Sequence, residues 1–157
     1  MPAGSDAAPA ELPRTFRPFG VRIAVSVFAV LLYGTVLAIW VAFPAEVRSQ
    51  FTIFQRATVI FFGVAMAACG FALARSRVEV RVDSVTVVNG YRTRRYDWNE
   101  ILAVTLPQGS PWATLDLSDG TSVAAMGIQG SDGARAGASV RQIRALLRQQ
   151  SRTERND

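Results

Sequence analysis

Residues 23–43 read IAVSVFAVLLYGTVLAIWVAF, 21 positions without a charged side chain. As an α-helix rising about 1.5 Å per residue, this stretch spans the ~30 Å hydrocarbon core of a bilayer. Residues 57–74, ATVIFFGVAMAACGFALA, form a second uncharged run. Arginine closes both, Arg22 before the first and Arg56 and Arg75 around the second. The first run is longer than the ~7–15-residue apolar core of a signal peptide, and no small-x-small cleavage site follows it. The remaining chain is too small to bury two such helices inside a soluble core. Two bilayer crossings, joined as a hairpin over residues 21–75, are therefore expected.

The arginines around these runs predict an orientation. Arg14, Arg17 and Arg22 precede the first, and Arg75, Arg77 and Arg81 follow the second. The connection between the runs carries only Arg48, Arg56 and Glu46. The positive-inside bias then places a multi-pass protein in the cell (plasma) membrane with both termini in the cytoplasm. Trp40, Phe43, Phe51 and Phe54 would form an outer aromatic belt, with Phe16 and Phe19 on the inner side. No ionisable residue lies within either run, which argues against an ion or proton pathway. Gly34, Ala38 and Ala42 on the first helix and Gly63 and Ala67 on the second recur at four-residue spacing. Such small residues let helices pack closely in lipid, here within the hairpin.

Composition removes several classes of function. All 17 basic residues are arginine, and the net charge is +5. This uniform bias, beside abundant alanine, valine and glycine, fits a GC-rich genome, and no nucleic-acid partner is inferred from it. With no histidine, the chain holds no histidine-based triad and no two-histidine zinc site. The single cysteine, Cys69, allows no internal disulfide. Residues 127–137 (GIQGSDGARAG) lack the lysine of a phosphate-binding loop and read as a flexible loop. Asp116, Asp119 and Asp132 do not have the spacing of a calcium loop. Neither catalytic residues nor a cofactor are expected.

Residues 1–20, proline-bearing and polar, read as a disordered tail, and 151–157 as a flexible one. Over residues 76–150 the pattern is that of an α+β domain. Val78, Val80 and Val82 alternate with Glu79, Arg81 and Asp83, a half-buried strand. Asp83 and Ser84 turn into a second strand, and Asn89-Gly90 marks a hairpin into a third. Asp97 to Ile101 is a corner with Trp98 packed in it. Residues 102–106, 112–117 and 121–126 complete six short strands, the last two joined through Asp119-Gly120. No seventh strand is visible; residues 127–130 are where one would fall. From Ala134 to about Gln150 the period becomes helical, with Ala136, Val140, Ile143 and Leu147 on one face, Leu146 beside them, and Ser131 or Asp132 as cap. This helix covers the open end of the barrel.

Three short motifs carry a resemblance: Val87-Val88-Asn89-Gly90-Tyr91-Arg92, Tyr96-Asp97-Trp98-Asn99-Glu100-Ile101 and Leu115-Asp116-Leu117-Ser118-Asp119-Gly120. With the helical hairpin before them, they resemble the actinobacterial two-transmembrane-helix proteins that bear a bacterial pleckstrin-homology (PH-like) domain, of the low-molecular-weight protein antigen 6 type. The resemblance implies a membrane α-helical hairpin plus a PH-like barrel of about six or seven antiparallel strands, capped by a C-terminal helix. It implies no enzyme activity. Phosphoinositide-binding PH domains use a basic loop between their first two strands. Here that turn is read as the acidic Asp83-Ser84, so head-group binding does not carry over.

The remaining candidates are contact residues. Arg92, Arg94 and Arg95 form the densest basic run, with alternation sending Arg92 and Arg94 to the solvated face. Arg141, Arg144 and Arg148 follow one stripe of the last helix, continued by Arg152 and Arg155. Anionic lipid head groups or an acidic protein are the partners such residues would meet, beside the bilayer itself. The function read from the sequence is a non-catalytic interaction module anchored at the inner face of the membrane. Anionic-lipid sensing and an accessory role in a larger membrane complex are the alternatives.

Overall fold

The computed structural model describes residues 12–153, so residues 1–11 and 154–157 of the two expected tails lie outside the described residues. The chain divides into two units, 19–75 and a second one built from 76 onward together with the segment before residue 19.

The first unit is helical: α1 (Phe19–Ala42), α2 (Ala45–Gln50) and α3 (Ile53–Arg75). Both α1 and α3 are long and apolar enough to cross a membrane. Thr52 and Gln55 form a reciprocal cap at the start of α3: the Thr52 N–H donates to Gln55 Oε1 at 3.0 Å and the Gln55 N–H to Thr52 Oγ1 at 3.2 Å. The Tyr33 hydroxyl ties the long helices together by donating to the Gly63 carbonyl at 2.6 Å. A Cβ at Gly63 would lie 3.6 Å from the Tyr33 ring, and one at Gly70 only 3.0 Å from Val25. The seam therefore joins Tyr33 to Gly63 and Val25 to Gly70, and Val25, Ala29 and Leu32 of α1 are half-buried. This corrects the expected packing stripe. Gly63 belongs to the seam, but nothing approaches Gly34, and Ala38, Ala42 and Ala67 are exposed. Four-residue spacing picks out a helix face but not which face turns inward; Tyr33, one position from Gly34, settles that rotation.

The second unit contains two antiparallel sheets and a helix. Strands β1 (Arg14–Phe16), β2 (Arg77–Val80), β3 (Ser84–Asn89) and β4 (Arg92–Asp97) form one sheet in that order. Strands β5 (Ile101–Thr105), β6 (Trp112–Leu117) and β7 (Ser122–Gln129) form the other. The helix α4 (Ala134–Thr153) contributes Ala136, Val140, Ile143 and Leu146 to the core. Leu146, not Leu147, is the buried leucine of its last turns; Leu147 packs at the rim.

Within the segment 1–20 expected to be disordered, the first strand corrects the reading for Arg14–Phe16. Arg14, Thr15 and Phe16 pair with Val80, Glu79 and Val78, and Phe16 is buried in the core. Phe16 is thus not part of an aromatic belt. A polar, proline-bearing flank hides a three-residue strand because the signal is a single apolar side chain. The seventh strand of the barrel is this one, and the expected last strand simply continues through residues 127–129. Gly127 is required there, since a Cβ would come within 2.5 Å of the Arg77 backbone. The stretch expected as a flexible loop is accordingly strand, a short 3-10 turn (Gly130–Asp132) and the start of α4, with the Gly133 carbonyl accepting the first helical bond from Gly137 N–H.

Two turns also differ from the sequence reading. Val82 is exposed and β2 ends at Val80, because the Trp98 indole N–H takes the Val82 and Arg81 carbonyls at 3.0 and 3.2 Å. The β3–β4 loop is Gly90-Tyr91, with Gly90 at φ 58° and Asn89 still in the strand opposite Arg92. Glycine at the first central position of a two-residue loop supplies the positive φ that the hairpin needs.

Replacing Phe16 by alanine removes a buried ring from a strand of three residues and is expected to destabilise the barrel by about 3 kcal/mol. Chemical unfolding of the full chain in micelles, followed by Trp98 emission, would measure it; a loss well below 1 kcal/mol would mean that β1 contributes nothing to the fold.

Candidate functional site

Alternation along a strand decides where the basic run of β4 points. Arg94 is the register partner of Val87, Arg92 of Asn89, and Arg95 of Thr86. Directly opposed residues share a face, so Arg92 and Arg94 lie on the side of the buried Val87 and Tyr96, and Arg95 lies on the other. Both inward-facing arginines are nevertheless exposed, because the barrel stays open where β4 runs past β7. They line a cleft of about 230 Å³ with Val87, Asn89, Ser122 and Val123. The expectation that Arg92 and Arg94 occupy the solvated outer face is corrected: they occupy the open mouth of the barrel.

Asn89 builds this cleft. Its Nδ2 donates to the Ala124 carbonyl at 2.6 Å and its Oδ1 accepts from the Met126 N–H at 3.0 Å. The amide thus imitates a neighbouring strand and joins the sheets where no ladder connects them. Ser122, on the β7 side, donates to Asp116 at 2.8 Å. Sequence reasoning placed Asn89 in a turn and overlooked Ser122. The hairpin signal of Asn-Gly masked a residue whose amide was needed elsewhere.

The other basic candidates are not assembled with these two. Arg95 pairs with Asp83 at 2.5 Å. Arg144 turns back to the barrel, its Nε donating to the Val104 carbonyl at 2.5 Å, and so docks α4 on β5. Arg148 lines a second cleft of about 360 Å³ with Trp98, Leu102 and Leu147, while Arg141 is exposed on α4. The six arginines therefore do not form one basic surface; two share a cleft.

Titratable groups with shifted pKa values sit at structural junctions, not in the cleft. Glu79 is held below its ordinary 4.5 chiefly by the hydrogen bond from Arg77 (2.6 Å), with Arg81 adding a second contact at 3.3 Å. Asp119 is lowered by the Thr121 hydroxyl and N–H within the β6–β7 turn. Asp83 is lowered by its own backbone N–H, by Ser84 and by Arg95. No group of three or more metal-ligating side chains comes together among the described residues.

The sequence profile of the bacterial PH domain matches residues 75–146. Two mycobacterial proteins, Uncharacterized protein Rv1417 of Mycobacterium tuberculosis and Uncharacterized protein Mb1452 of Mycobacterium bovis, are each 33% identical to this chain over 105 residues. The match covers 65% of this chain and 68% of each relative. The chain belongs to the bacterial PH-domain family. No solved structure matches it. The matched profile begins at Arg75, the last residue of α3, so the PH-like domain includes a strand, β1, that lies outside it. The connection between the first two strands is consequently not Asp83-Ser84, which links the second and third, but the whole helical segment 17–76.

Because folding lowers the Glu79 pKa, the stabilisation is present above the unfolded value and is lost as pH falls through the folded one. Stability of the barrel is expected to decline below about pH 4.5, and Glu79→Gln to flatten that part of the profile. Unfolding midpoints between pH 3 and 6 would check it; an unchanged slope in the variant would remove Glu79 as the source.

Proposed function

We propose that this protein is a non-catalytic binding module anchored in the cell membrane, with α1 and α3 crossing the bilayer, both termini in the cytoplasm, and the Arg92–Arg94 cleft receiving an acidic protein segment. The cleft carries the reading. It lies between β4 and β7, each at the edge of its sheet, and edge strands present unpaired backbone groups to which an extended peptide can add. Two guanidinium groups beside those edges select for carboxylates at alternate positions of such a peptide.

The orientation is supported by the charge pattern and by connectivity. Arg14, Arg17, Arg22, Arg75, Arg77 and Arg81 flank the outer ends of the helices, against Arg48 and Arg56 in the connection. Phe16, three residues before α1, is the register partner of Val78, three residues after α3. The chain leaves one sheet and returns to it, which requires an even number of crossings. The accessory-subunit alternative draws on the exposed Gly34, Ala38 and Ala42, a close-packing stripe that α3 does not use.

A photoreactive side chain at Ser122, activated in intact membranes, is expected to form a protein adduct that is reduced about ten-fold or more by Arg92→Gln with Arg94→Gln, since two charge-assisted contacts are lost. Mass spectrometry of the adduct separates the alternatives. A lipid adduct with the same arginine dependence would replace the acidic-peptide reading with anionic-lipid sensing, and an adduct indifferent to both arginines would remove the cleft as the binding site.

A further inference from the structure

The helical unit contains a cleft that the PH-like domain does not explain. It lies between α1 and α3 at the end where α2 connects them, has a volume of about 490 Å³, and is lined by Val36, Leu37, Val59 and Ile60, with Tyr33 at one end and Phe43 at the other. The Tyr33–Gly63 hydrogen bond marks where the helices come together. From Tyr33 to Phe43 is ten residues, about 15 Å of helix, and half of the ~30 Å hydrocarbon core. The cleft is thus one leaflet deep.

An apolar slot of about 490 Å³ that runs about 15 Å along the helices has the dimensions for one extended hydrocarbon chain.

The mouth is polar on one side and aromatic on the other. Phe51 meets Trp40 edge-on at 5.5 Å and stacks on Phe43 at 6.0 Å. The Arg56 guanidinium lies 5.5 Å from the centre of the Trp40 ring and donates through Nη2 to the Arg48 carbonyl at 2.7 Å. The connection carries Arg48 and Arg56 and one acid, Glu46. A fixed guanidinium at head-group level, above an apolar slot one leaflet deep, is complementary to one class of molecule.

We infer that this cleft binds an anionic phospholipid of the outer leaflet, with one acyl chain between α1 and α3 and the head-group phosphate on Arg56, assisted by Arg48. A zwitterionic lipid brings its own cation to the same position and is disfavoured. This inference rests on the membrane-crossing part of the proposed function but not on the Arg92–Arg94 cleft.

Trp40 provides the readout, because it lines the cleft. The full chain is reconstituted in vesicles containing phosphatidylcholine and phosphatidylglycerol, with brominated acyl chains on one lipid or the other at equal mole fraction. The Trp40→Phe variant, read in parallel, supplies the emission of Trp98 and Trp112 to be subtracted. Brominated phosphatidylglycerol is expected to quench Trp40 with an apparent association about five-fold greater than brominated phosphatidylcholine, the preference one arginine provides at an anionic head group. Arg56→Gln should reduce the ratio towards one, and Arg48→Gln should reduce it partly. Equal quenching by the two lipids, or a ratio unchanged in Arg56→Gln, would overturn the assignment. So would a Trp40 shielded from both lipids, which would mean that protein fills the cleft. Circular dichroism of each variant reports whether the helices are retained. A chain not inserted in the bilayer leaves all three tryptophans unquenched, which distinguishes failure of membrane insertion from failure of the lipid site.

Discussion

Three register pairs, Arg14 with Val80, Thr15 with Glu79 and Phe16 with Val78, join the segment before α1 to the segment after α3. The rest of the molecule depends on this short ladder. It places the apolar helices inside the barrel's own topology, between its first and second strands, so the sheet closes only when both ends of the helical segment return to it. It also brings Phe16 into a core otherwise supplied from residue 78 onward. Two neighbouring strands, each a few residues from a helix end, form the connection between the two units.

The same economy of short connections shapes the arginine cleft. Sheets of four and three strands have edges at β1, β4, β5 and β7, and β4 and β7 flank the cleft; an open edge must be paired, covered or charged. The chain uses two of these devices. Asn89 bridges to β7 through its side-chain amide, which satisfies one carbonyl and one N–H without extending the ladder. Beyond it Arg92 and Arg94 occupy the inward face, where closed barrels place apolar residues, and line the open mouth. Charge on an edge protects against indiscriminate pairing and at the same time selects what can pair. The other arginines serve the scaffold: Arg144 holds α4 to β5, Arg95 holds the Asp83 turn, and Arg77 holds Glu79.

Much of this was legible in the sequence. Two uncharged runs of helical length, alternating valines and an amphipathic last helix marked out the helical pair, the strands and the capping helix, because each has a period that burial imposes. Legibility failed where a single side chain decides the matter. Phe16 is one apolar residue in a polar flank, and its strand exists only because β2 offers an edge. Asn89 has the residue type of a turn, yet its amide was claimed by β7 while Gly90 alone supplied the positive φ. Gly34, Ala38 and Ala42 have the spacing of a helix contact but not its rotation. Among the basic candidates, alternation grouped Arg92 with Arg94 correctly and assigned the wrong face, since the sequence pattern of a barrel mouth is indistinguishable from that of a solvated surface.

Under the proposed function, the membrane anchor also sets how strong the cleft's chemistry needs to be. Two charge-assisted contacts and a few backbone hydrogen bonds, after the cost of ordering a peptide, amount to weak binding, with Kd on the order of 1 mM or about 4 kcal/mol. In free solution such a module would be empty at cellular concentrations. Confinement to a membrane raises the effective concentration of any partner in the same membrane to the millimolar range, which matches that affinity. A tighter cleft would hold partners irrespective of location, and a weaker one would not bind even when tethered. On this argument the selectivity of the module lies jointly in the sign of its two arginines and in the restriction of its search to the membrane plane.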